Sequence, residues 1–113
     1  MGLLFKICEA AAWAEATESG GYGGSAVDRR DGFIHLSAET QVRETAARHF
    51  AGKDSLVLIA FAEEGLANLR WEASRGGALF PHVYGSLPVS AALWVRNLPL
   101  VAGAHRFPDG IPA

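Results

Sequence analysis

The sequence predicts a single α+β domain with a largely antiparallel sheet, whole or split, and two helices near the N-terminal half. Three observations carry this. The chain has 113 residues, the size of one domain with one core. Helix-forming stretches lie early and strand-like runs lie late, and such segregation favours α+β over a doubly wound parallel sheet. Half the residues are hydrophobic and 19% are charged, which is globular rather than disordered composition.

Leu3 to Cys8 is apolar at nearly every position, as expected of a strand covered on both faces. Glu9 to Glu18, rich in alanine with Trp13 at its centre, predicts a helix, and Gly20-Gly21 stops it. Residues 19–32 predict a loop, with four glycines between Ser19 and Ser25. It contains neither GxGxxG nor GxxxxGK. Tyr22 on such a mobile segment is placed to close over a flat ligand.

Asp31-Gly32 predicts the turn that aims the next strand, Phe33 to Leu36. Alternation sends Ile34 and Leu36 to the core and Phe33, His35 and Ser37 to the opposite face. Ser37 is expected to cap a helix running to about Ala51, with Val42, Ala46, Ala47 and Phe50 as its apolar stripe. Glu39/Arg43 and Glu44/Arg48 are acid-first i,i+4 pairs on its wet side. Ser55 to Ala62 is a central buried strand, and Leu69 to Ala73 alternates cleanly. Pro81 within Ala78 to Gly85 argues for an edge or an irregular start. Leu87 to Leu98 predicts one last long strand, followed by a loose tail from Gly103.

Charge and cysteine content narrow the function. The net charge is −2 and no basic run occurs, so duplex nucleic acid is not an expected partner. A single cysteine, Cys8, excludes an internal disulfide framework and is expected to pack as a small hydrophobe. No secretion signal is visible and no apolar run approaches the roughly 18 residues of a membrane span. The expected location is cytoplasmic, with no membrane association. Oligomeric state is not legible.

The polar residues that carry chemistry gather in three short strand segments: Asp31, His35 and Ser37; Arg70 and Glu72; His82 and Tyr84. Each segment presents its polar groups on one alternating face. If the faces converge they form the floor of a small-molecule site. His35, Glu72 and His82 are the candidate catalytic residues; Tyr22, Asp31, Ser37, Arg70 and Tyr84 are candidate ligand-binding residues. A structural role for His35 weighs equally with an acid–base one. Glu72 is expected first as a carboxylate on a solvated strand face; the alternative is a pKa raised by the neighbouring Trp71, which would suit proton transfer. No HExxH or comparable spacing suggests a metal, and no GxSxG suggests a serine nucleophile.

Taken together, Asp31-Gly32-Phe33-Ile34-His35-Leu36-Ser37, Gln41-Val42, Thr45-Ala46, Arg70-Trp71-Glu72 and Phe80-Pro81-His82-Val83-Tyr84-Gly85 resemble the bacterial and plant family known as domain of unknown function 952. The likeness runs from Phe5 to about Leu98. It implies a fold similar to the ADP-ribosyltransferase superfamily, which binds NAD as substrate in a cleft between two small sheets. By that resemblance His35 would contact a ribose of NAD, and Tyr84 or Tyr22 would stack on nicotinamide. The late glutamate of that superfamily has no counterpart, since no glutamate follows Glu72. Glycohydrolase-like chemistry, transfer with another residue set, and nucleotide-like binding without turnover therefore stay open. The alternative is a non-catalytic module for a small ligand or a protein partner.

Overall fold

A computed structural model describes residues 2–111. Strand β1 (Leu3–Glu9) leads into helix α1 (Ala10–Ser19), then β2 (Gly21–Tyr22), helix α2 (Ala26–Asp31), β3 (Ile34–His35), β4 (Ser37–Ala38) and helix α3 (Val42–His49). Strands follow: β5 (Leu56–Ala62), β6 (Leu69–Ala73), β7 (Leu79–Val83), β8 (Leu87–Pro88), β9 (Ala92–Leu98), β10 (Leu100–Val101) and β11 (Ala104–His105). The α+β class and the antiparallel pairing expected from sequence are both observed, and the sheet is split.

The larger sheet has the order β4-β1-β5-β9, and a second has the order β3-β7-β6. In the larger sheet β1 and β5 pair antiparallel over their whole lengths, with Lys6 opposite Ile59. Both faces of these strands are covered, which explains their continuous apolar sequences. On one face Leu4, Cys8, Val57, Ile59 and Phe61 pack with Trp13, Tyr22, Ile34, Leu36 and Val83. On the other, Phe5, Ile7, Leu58 and Ala60 pack with Val42, Ala46 and Leu98. Burying each large apolar side chain contributes about 1.5–3 kcal/mol. Lys6 alternates in register with Leu4 and Cys8, so it is the one charged group that β1 sends into the first of these cores.

Several expectations are corrected. The segment 19–32 is not a loop throughout, for it holds β2 and the third helix, α2. A capping box builds α2: Ser25 Oγ accepts from Asp28 N, and the Asp28 carboxylate accepts from Ser25 N. These reciprocal bonds satisfy two of the helix's orphan donors. Gly32 ends the helix with φ +86 and an N–H bond to the Asp28 carbonyl. Tyr22 does not ride on a mobile hinge: it pairs with Leu87 in β2 and β8, is buried, and lies 6.0 Å from the Trp13 ring.

Ser37 does not cap a helix. It belongs to β4, opposite Phe5, and α3 begins five residues later, with Gln41 at its N-cap. The Gln41 side chain accepts from Ala38 N and donates to the Leu79 carbonyl. Glu39 therefore precedes the helix, whereas Glu44 and Arg48 do pair, at 2.9 Å. Pro81 is not at an edge, since β7 is the middle strand of its sheet. The Pro81 carbonyl still accepts from Leu36 N just beyond β3. The last strand divides into β8 and β9 around a 3-10 turn, Val89–Ala91. No helix among the described residues is long and apolar enough to cross a membrane.

Candidate functional site

Alternation on the small sheet decides which side chains meet. Ile34, Val83 and Leu69 lie in one cross-strand row, and His35, His82 and Arg70 lie in the next. Adjacent rows face opposite ways, so the first set enters the core while the histidines share the other face with Glu72. The three polar segments picked out by sequence therefore do converge. The common face abuts a cleft of about 540 Å³ whose lining includes Lys6, Asp28, His35, Ser37, Thr45 and His82. That volume is in the range of small-molecule sites.

His35 is held from both ends. Its Nδ1 is 2.6 Å from Asp28 Oδ1, and its Nε2 is 3.0 Å from Asp31 Oδ2. The same Asp28 oxygen accepts from the His35 backbone N–H, and Lys6 Nζ donates to the His35 carbonyl. An ionised carboxylate only accepts, so each ring nitrogen faces an acceptor; Asp28 fixes the ring with Nδ1 inward and turns Nε2, with its Asp31 contact, toward the rim. Asp28 itself is 2% exposed and forms a 2.9 Å ion pair with Lys6, which is also buried. Burial pushes its carboxyl up, but the His35 hydrogen bond and the Lys6 charge outweigh this and hold it well below the usual range. Asp31 is held below the usual range first by its hydrogen bond from Arg30, with His35 adding to the effect.

His82 forms the second group. Its Nδ1 lies 2.8 Å from Glu72 Oε1, and the Tyr84 hydroxyl is shared between the two Glu72 oxygens at 2.8 and 3.0 Å. Neither the plain solvated carboxylate nor the alternative of a raised Glu72 pKa holds: His82 first, and Tyr84 next, hold it below the usual range. The same contact raises the Tyr84 phenol. Arg70 stands 5.3 Å over the Tyr84 ring. Phe33 joins the two groups, stacking on His82 with centroids 4.1 Å apart and touching His35 and Tyr84 at 4.8 and 5.4 Å.

Ser37 sits deeper, its hydroxyl 2.8 Å from that of Thr45. Because Thr45 donates to the Gln41 carbonyl, Ser37 is the donor between them. Tyr22 also lines the cleft, from within the core; burial pushes its phenol up. Lys6 and Asp28 are the residues that strand alternation could not supply. Their signals were a lone lysine inside an apolar strand, and the Ser25-x-x-Asp28 box read without its helix. No group of three or more His, Cys, Asp or Glu residues able to hold a metal occurs among the described residues.

Comparison with known proteins agrees with this architecture. The crystal structure of protein CC0527 from Caulobacter crescentus is 50% identical, with a TM-score of 0.87 over 92% of this chain and 93% of that one. The solution NMR structure of CC0527 is 48% identical, with a TM-score of 0.81 over 93% and 91%. No curated protein matches the chain. The model of the family described as "Protein of unknown function (DUF952)" matches residues 7–95, which take in the end of β1, the Asp28–His35 pair and the Glu72–His82 pair. The chain therefore belongs to that family.

Proposed function

We propose that the cleft binds NAD or another nucleotide-like ligand, with His35 hydrogen-bonded to a ribose hydroxyl. The observation that carries this reading is the Asp28–His35 pair at the edge of a 540 Å³ cleft. The ring orientation set by Asp28 leaves His35 Nε2 as the atom that meets the ligand, and a hydroxyl can replace Asp31 there. The split sheet fits the ADP-ribosyltransferase-like architecture implied by the motif resemblance, an argument by fold analogy. Lys6 neutralises Asp28 beneath the site, so the floor does not repel a phosphate-bearing ligand. Because no glutamate follows Glu72, binding is the core of the proposal, and any turnover would use a residue set other than that of the classical transferases.

Calorimetry and thermal shift with NAD, ADP-ribose, 2′-phosphorylated nucleotides and small acids test it. A ligand that binds only the folded state raises the melting temperature by mass action. NAD or ADP-ribose should do so at millimolar concentration, and His35→Ala should abolish the shift while the far-UV spectrum stays folded. Silence from the whole nucleotide set defeats the reading. Undiminished binding by a strongly destabilised His35→Ala variant would make His35 a structural residue.

A further inference from the structure

The most unusual atom in the site is His82 Nε2. It is buried, and it is the one buried side-chain polar atom without a protein partner among the described residues. Buried polar atoms nearly always have one, and an exception needs a reason. His82 sits on the middle strand of its sheet, with β3 on one side and β6 on the other. Its ring is further fixed by the stacked Phe33, so Nε2 cannot swing out to water.

The protonation pattern of this ring follows from its neighbours. Glu72 receives the Tyr84 hydroxyl and faces His82 Nδ1, and both contacts hold its carboxyl below the usual range. An ionised carboxylate cannot donate. In the neutral ring the proton is therefore on Nδ1, and Nε2 carries a bare lone pair on a residue that lines the cleft.

We infer that His82 is a specificity-determining residue whose Nε2 accepts a hydrogen bond from a neutral N–H or O–H donor of the ligand, such as a primary amide or a hydroxyl. The inference rests on the cleft being the ligand site. A carboxylate at the same position brings only lone pairs against a lone pair, so the site discriminates between an amide and the corresponding acid. Since Nε2 is covered in the free protein, the donor reaches it with a small displacement of the covering groups.

The test has two arms on the full chain. Long-range ¹H–¹⁵N spectra of the histidine rings should show His82 protonated on Nδ1 and bare at Nε2. A protonated Nε2 in the free protein overturns the inference. Titration should then show NAD bound about 10- to 100-fold more tightly than its nicotinic acid analogue. Glu72→Gln should reverse the order, because the amide oxygen takes the Tyr84 hydroxyl and its N–H faces Nδ1, shifting the ring proton to Nε2. His82→Phe keeps an aromatic ring against Phe33 and should lose the discrimination. Equal binding of amide and acid to the native protein overturns the inference. If neither dinucleotide binds, the nucleotide reading fails by itself. The inference is then decided by nicotinamide against nicotinate: a shift of the Nε2 resonance by the amide alone supports it, and no shift overturns it.

Discussion

His35 Nδ1 lies 2.6 Å from Asp28 Oδ1, and the same aspartate is 2.9 Å from Lys6 Nζ. One buried carboxylate thus serves a helix cap, a strand lysine and a cleft histidine at once. Three elements, β1, α2 and β3, meet on it, so its loss should be felt in stability and in the site together.

Asp28→Asn keeps the size of the side chain but strands the Lys6 charge in the core. Removing one partner of a buried pair costs about 3–5 kcal/mol. Urea unfolding should show a loss of that order, with the His35 ring no longer held by a carboxylate at Nδ1. A loss below about 1 kcal/mol would mean the pair is effectively solvated.

The acid dependence of stability has a definite sign. Asp28 is depressed in the folded state, so the unfolded chain binds its proton more readily and stability rises with pH. The contribution is complete above the ordinary aspartate range of about pH 4 and drains away as the pH falls below it toward the folded value. Unfolding curves between neutral pH and pH 2 should steepen in this window for the native chain and flatten for Asp28→Asn. Parallel curves for the two proteins would rule Asp28 out as the source.

Gly24 has φ +101, and a Cβ there would stand 2.8 Å from Asp28 Cβ. Gly24→Ala combines left-handed strain with a clash and should cost about 2–4 kcal/mol. Gly52 has φ +75 with nothing within 4 Å of an added Cβ, so Gly52→Ala should cost only about 1 kcal/mol. Similar losses at the two positions would contradict the tight seating of α2.

Ser37→Ala removes the donor to Thr45 but no helix cap. The expected cost is about 1 kcal/mol, with the helical far-UV signal unchanged. A drop in helix content would restore the capping role expected from the sequence.

Cys8 is buried, and burial pushes its thiol up to about 11. At pH 8 an aromatic disulfide reagent should label the native protein about 100-fold more slowly than the unfolded chain. Labelling at the unfolded rate would place Cys8 at the surface.

Much of the molecule is written locally. The continuous apolar runs of β1 and β5 announce strands covered on both faces, and the alternation of Phe33 to Ser37 assigns core and site faces before any fold is known; that of Leu69 to Ala73 puts Arg70 and Glu72 on one face, although Trp71 opposite them is exposed rather than core. That is why His35, Glu72, His82 and Tyr84 could be picked out, and why Ile34 and Leu36 are buried as expected. Short-range chemistry also held the signature of α2 in Ser25, Asp28 and Gly32, although glycine content masked it.

Only the tertiary structure decided the rest, because charge pairing and strand order join residues far apart in the chain. Lys6 and Asp28 are 22 positions apart, and His82 and Glu72 meet only when β7 takes the middle of its sheet. Long-range pairing turned the surface carboxylate expected at Glu72 into a histidine's partner with a lowered pKa. It also placed Pro81 in a central strand and Ser37 in β4. Residue types and faces follow from local sequence; partners, burial of charge and protonation follow from which elements pack together.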